Sequence, residues 1–128
     1  MIVLDASAVV ELVLGTTAGD AVSHGIRGQA AHAPAHVEVE VTGAIRRAVV
    51  RGLLSDREGR MAFDEARSLP VTRWGVGTLM ERAWELRHSH TTADALYVAL
   101  AEGLGVPLIT CDRRLARSTG HHAVIQVL

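Results

Sequence analysis

The sequence predicts a single α/β domain, residues 1–128, with a central, mainly parallel sheet of four to five strands flanked by helices. Three observations predict it. The short aliphatic runs Ile2-Val3-Leu4 and Pro107-Leu108-Ile109 fit strands covered on both faces. Strand-length runs alternate with helix-length stretches, the pattern of a parallel sheet with crossover helices. Finally, both aliphatic runs close on an aspartate, Asp5 and Asp112. The functional crevice of an open α/β sheet lies just beyond the carboxyl ends of its strands.

In chain order, strands are expected at 2–5, 30–33, 70–73, 107–111 and 124–127. Helices are expected at 7–14, 17–27, 36–51, 56–67, 77–89, 92–104 and 113–118. Two of these helices matter most. In 36–51, Val37, Val41, Ala44, Ile45 and Ala48 recur at the spacing of one helical face. Glu38 and Glu40 stand on opposite shoulders of that stripe, and periodicity alone does not choose between them. In 92–104, the run from Ala95 to Ala101 is apolar almost all round, as in a buried helix. Asp94 lies in its first turn, and Gly103 and Gly105 punctuate its end.

Composition excludes several function classes. Hydrophobic residues make up 48% and charged residues 21%, ordinary for a globular domain. No apolar run approaches the roughly 18 residues needed to cross a bilayer, and no basic flank with a long apolar stretch suggests a signal peptide. The lone Cys111 fits a reducing cytoplasm and reads as an inert, buried thiol. A net charge of −1 sets up no global basic field. All 13 basic residues are arginines. Without lysine there is no P-loop, no Schiff-base amine, and no lysine of the kind on which phospho-receiver proteins rely. Aromatics are only 3%, too few for base-stacking platforms. The seven histidines lack the cysteine or acid spacing of a zinc site and read as structural or surface groups.

The acids remain. Asp5 and Asp112 each stand where a helix could be capped, and Asp94 follows Thr91 in a near capping-box arrangement. Capping alone does not require that they converge. If the two strands are neighbours, Asp5 and Asp112 sit side by side, and a bound cation is the usual remedy for such repulsion.

Three stretches carry a family resemblance. The opening M-I-V-L-D-A-S-A-V-V resembles an apolar strand running into an Asp and a small or hydroxyl residue. A-P-A-H-V-E-V-E-V-T-G-A-I-R-R resembles a Pro followed six residues on by Glu-Val and an Ala-aliphatic-Arg tail. T-A-D-A-L-Y-V-A-L-A-E-G-L-G-V-P-L-I-T-C-D resembles an Asp-Ala-x-Tyr helix leading to a strand that ends Thr-x-Asp. Together they resemble the PIN-domain family, specifically VapC-type toxins of toxin–antitoxin pairs. That register selects Glu40 over Glu38. The chain departs from the pattern at His36, Gly43 and Ala93, none of which removes an acid.

The resemblance implies a site of Asp5, Glu40, Asp94 and Asp112, an all-oxygen set suited to Mg2+ or Mn2+. Asp5, Asp94 and Asp112 are then the metal ligands, directly or through water, and Glu40 holds a second metal or orients the attacking water. Ser7 and Thr110 support a carboxylate or the scissile phosphate. The expected reaction is hydrolysis of RNA by metal-activated water, leaving 5′-phosphate and 3′-hydroxyl ends. RNA would be held by Arg46, Arg47, Arg51, Arg113, Arg114 and Arg117. The implied partners are a VapB-type antitoxin and a second copy of the chain. A catalytically silent RNA-binding or assembly module and a non-toxin RNA-processing nuclease are the competing expectations.

Overall fold

The computed structural model describes residues 1–128. Its five strands are β1 (Ile2–Leu4), β2 (Ala31–Pro34), β3 (Val71–Trp74), β4 (Leu108–Thr110) and β5 (Ile125–Val127). All are parallel and lie in the order β3-β2-β1-β4-β5. From β1 the chain first builds outward through β2 to β3, then returns to the other side for β4 and β5. The direction therefore reverses between β1 and β4, and at such a reversal the flanking connections part and leave a crevice.

Seven helices cover the sheet: α1 (Ala6–Leu14), α2 (Thr17–Gly25), α3 (Val37–Val50), α4 (Asp56–Ser68), α5 (Met80–Glu85), α6 (Thr92–Leu104) and α7 (Arg113–Ala116). Every residue of β1 and β4 is buried, which explains why both strands read as aliphatic runs. Helix α6 buries seven consecutive residues, Ala95 to Ala101. The Thr91 hydroxyl caps its start, and Gly105, at φ 65°, ends it in the left-handed conformation. The Ser55 and Glu58 side chains close a capping box at the start of α4.

Two elements differ from expectation. The first strand, expected to include Asp5, stops at Leu4 because Asp5 turns into the cap of α1. The helix expected at 77–89 is a 3-10 turn, Gly77–Leu79, leading into the short α5. No side chain caps either piece, and the Ser89 and His90 amides both return to the Leu86 carbonyl. Beyond Glu85 the chain continues in turns and buries His90.

Candidate active site

The side chain of Asp5 emerges at the reversal point, at the carboxyl end of β1. It is only 4% exposed. Its Oδ1 accepts from the Ser7 hydroxyl at 2.7 Å and the Ala8 amide at 2.9 Å, and its Oδ2 accepts from the Thr110 hydroxyl at 2.5 Å. Burial pushes its carboxyl above the usual aspartate range. Those three donors oppose the rise, and the neighbouring Asp112 charge adds to it.

Thr110, at the end of β4, joins the two strands. Its Oγ1 also accepts the Asp112 amide at 2.9 Å, while the Cys111 amide donates to Ser7 Oγ at 2.9 Å. Ser7 and Thr110 therefore lock the ends of β1 and β4 together and aim both aspartates into the crevice. The capping reading also holds, since Asp112 Oδ1 accepts from the Arg114 amide at 2.7 Å. Capping and convergence coexist because the caps use Oδ1 of each carboxylate, leaving Oδ2 to meet Thr110 in Asp5 and Arg114 in Asp112.

Asp94 enters from the first turn of α6. Its Oδ2 lies 2.8 Å from Arg114 Nη2, and the same nitrogen lies 3.2 Å from Asp112 Oδ2. One exposed guanidinium nitrogen thus bridges the two acids, and Asp94 raises the Arg114 pKa further. Glu40 comes from α3, where its Oε2 accepts from the Tyr97 hydroxyl at 2.6 Å. Burial and that carboxylate drive the Tyr97 phenol far above its ordinary range. Glu38, two residues earlier, is held by Arg73 at 2.7 Å on the other shoulder of the helix. The two shoulders thus differ in partner: Glu40 turns to Tyr97 on α6 and Glu38 to Arg73 on β3.

Two further residues belong here. His36 Nε2 lies 3.0 Å from the Ala93 carbonyl and 3.5 Å from Glu40 Oε2, and its ring packs on Tyr97 at 4.6 Å. It ties the start of α3 to the turn that presents Asp94. Spacing held the signal for both residues: His36 and Glu40 are i,i+4, and Asp94 and Tyr97 are i,i+3, so each pair shares a helical side. Of the six arginines expected to meet RNA, Arg114 is turned onto the acids. Arg46, Arg47, Arg51, Arg113 and Arg117 are exposed on α3 and α7 or at their ends. Cys111 is half-buried, and burial pushes its thiol up.

The chemistry of the donor set fits a hard cation, with four carboxylates and two hydroxyls and no thiolate on them. The gap between Asp94 and Asp112 already holds a positive charge, supplied by Arg114. No three His, Cys, Asp or Glu side chains are arranged to hold one metal ion. Asp5, Asp94 and Asp112 are the residues that could hold such an ion, directly or through water.

The PIN domain family pattern matches residues 2–120. The chain belongs to the PIN-domain family. Within it, the chain is 61% identical over 128 residues to Ribonuclease VapC12 of Mycobacterium tuberculosis, covering 100% of this chain and 99% of that protein. Its fold is similar to the crystal structure of Mycobacterium tuberculosis VapC20, described as a sarcin-ricin loop cleaving toxin. The TM-score is 0.67 at 20% identity, covering 97% of this chain and 98% of the other. It is also similar to a toxin–antitoxin complex from Klebsiella pneumoniae, with TM-score 0.60 and 16% identity, over 91% of each chain. The expected PIN fold, with its sheet of parallel strands, stands. No helix is long and apolar enough to cross a membrane.

Proposed function

We propose that this PIN domain is the toxin of a type II toxin–antitoxin pair, a cytoplasmic endoribonuclease that hydrolyses RNA phosphodiester bonds with Mg2+ or Mn2+. The observation that carries the reading is the excess of acids at the β1–β4 reversal, where Asp5 and Glu40 stand behind Asp94 and Asp112 with Arg114 as the nearby cation. A phosphodiester is an anion, so this crevice repels its substrate unless cations enter. The full-length relationship to a protein named Ribonuclease VapC12 supports the same reaction.

An ion held by Asp5, Asp94 and Asp112 would supply Lewis-acid activation of water and neutralise charge on the phosphate. The chain's own residues do the rest. Asp5 contributes a fixed negative charge whose position is set by Ser7, Ala8 and Thr110. Glu40, steadied by the Tyr97 hydroxyl, faces the same space and accepts a proton from the attacking water. Arg114, which bridges Asp94 and Asp112, is exposed and close enough to the acids that, released from them, it would meet the phosphate. A VapB-type antitoxin would silence the site by laying its own arginine across the carboxylates. A second copy of the chain completes the expected assembly.

Purified protein is expected to cut single-stranded RNA only with divalent ions present, leaving 5′-phosphate ends, and Asp5→Ala is expected to abolish cutting. Products ending in 2′,3′-cyclic phosphate, or cleavage that persists in chelator, would overturn the proposal.

A further inference from the structure

A cleft of about 310 Å3 runs between α1 and α3 and opens into the acid site. Ser7 and Glu40 of the acid site line it together with Arg47, and Ala6, Val10 and Ala44 supply its apolar wall. Glu40, Ala44 and Arg47 are spaced i, i+4 and i+7, one face of α3. Arg47 therefore lies about 10 Å along the helix from Glu40. Its side chain folds back over Gly43 toward the acids. A Cβ on Gly43 would stand 3.4 Å from Arg47 Nη1, so the absent side chain leaves that path open.

The remaining charged group on the wall is Glu11, whose carboxylate accepts from the Thr16 hydroxyl. Arg47 is thus the one cation of the cleft, and it enters none of the chain's ion pairs. Arg46, on the same helix, and Arg51, at its end, lie outside the cleft. An unpaired guanidinium presents a planar fork matched to two phosphate oxygens. The apolar wall is small and offers no aromatic ring for a base, so it suits a sugar and gives little base preference.

We propose that this cleft seats the nucleotide adjoining the scissile bond, with its phosphate held by the Arg47 fork. The proposal rests on the RNA-cutting reading and names the subsite that reading lacks. Arg47 acts on binding, remote from the reacting atoms, so Arg47→Gln raises KM for a single-stranded oligoribonucleotide about five- to tenfold and leaves kcat within twofold. The slope of log Kd against log salt, measured with Ca2+ replacing Mg2+, falls by about one phosphate contact. Arg57→Gln, an equal charge change on exposed α4, changes neither quantity. Arg47→Lys recovers less than half of the loss, because the point charge lacks the fork.

The decisive measurement substitutes single methylphosphonates along the oligonucleotide. One position beside the cut weakens the wild-type protein and has no further effect on Arg47→Gln. Equal penalties in both proteins at every position overturn the proposal. So does an unchanged KM and salt slope in Arg47→Gln. Either outcome, with the wild type still cutting RNA, leaves the ribonuclease reading intact; a wild type that cuts no RNA defeats that reading itself.

Discussion

Helix α6 carries an acid at each end, and the two are treated differently. Glu102, near the carboxyl end, is met by Arg82 through two nitrogens at 2.7 and 3.1 Å and by the His122 amide at 2.7 Å. A third Arg82 nitrogen reaches Glu85 at 2.8 Å. Asp94, at the amino end, shares a single Arg114 nitrogen with Asp112. Each cluster sets one arginine against two acids. The Arg82 side chain is 31% exposed and uses every arm of its fork, whereas that of Arg114 is 67% exposed and uses one nitrogen. Behind Arg114 stand two more acids, Asp5 and Glu40. A closed pair holds a fold together; an open one, short of positive charge, is a place where cations exchange.

The sharpest way to break this contrast is to remove one acid from each end. Asp94→Asn is expected to lower metal-dependent RNA cleavage by about 10^3 while α6 stays capped by Thr91. Glu102→Gln is expected to leave cleavage within twofold. If both variants cut RNA equally well, the two ends are equivalent and the amino end is not the site.

Stability should move the other way. Glu102→Gln breaks a charged, half-buried hydrogen-bond set and should destabilise the fold by about 1–2 kcal/mol, read as a lower Tm. Arg82 holds the Glu102 carboxyl below its ordinary range. Its contribution is therefore complete above the unfolded-state value and fades as pH falls through the lower folded value. The Tm gap between wild type and Glu102→Gln should accordingly close in acid; a gap that is constant with pH would mean the pair carries no charge-dependent stability.

Within the site, Tyr97→Phe removes the donor to Glu40 and keeps the ring that packs on His36. A drop in kcat of about tenfold is expected with KM little changed, since the hydroxyl positions a group and touches no substrate. An equal loss in both parameters would place Tyr97 in substrate binding instead.

Different parts of this site were visible in the sequence for different reasons. Asp5 and Asp112 were legible because a buried parallel strand advertises itself as an aliphatic run and its crevice end is fixed by chain direction. Asp94 was legible through the cap and the apolar helix behind it. Glu40 was not separable from Glu38 by periodicity, because the contact that sets Glu38 apart is Arg73 on β3, 35 residues away. The role of Arg114 was hidden for the same reason: it meets Asp94 across 20 residues, through the relative placement of α6 and α7. The end of α5 was misplaced because burial of His90, a tertiary demand, overrode a continuous helical pattern.

Arg114 offers the smallest effect and the finest test. If its guanidinium competes with metal for the gap between Asp94 and Asp112, Arg114→Gln should bind Mn2+ more tightly, by a paramagnetic titration done without RNA. An exposed ion pair is a weak competitor, so the gain should be no more than about three- to fivefold. Arg82→Gln, which opens the closed pair at the other end of α6, should leave Mn2+ binding unchanged, because no surplus acid stands behind it. The RNA-free measurement separates two roles that cleavage assays would merge. Once displaced, Arg114 is positioned to attract phosphate, so its loss can raise KM for RNA even as metal binds better. Tighter Mn2+ binding with a higher KM fits an arginine that guards the acids at rest and serves the phosphate in turnover. Weaker or unchanged Mn2+ binding would remove the guarding role and leave the contrast between the two ends resting on Asp5 and Glu40 alone.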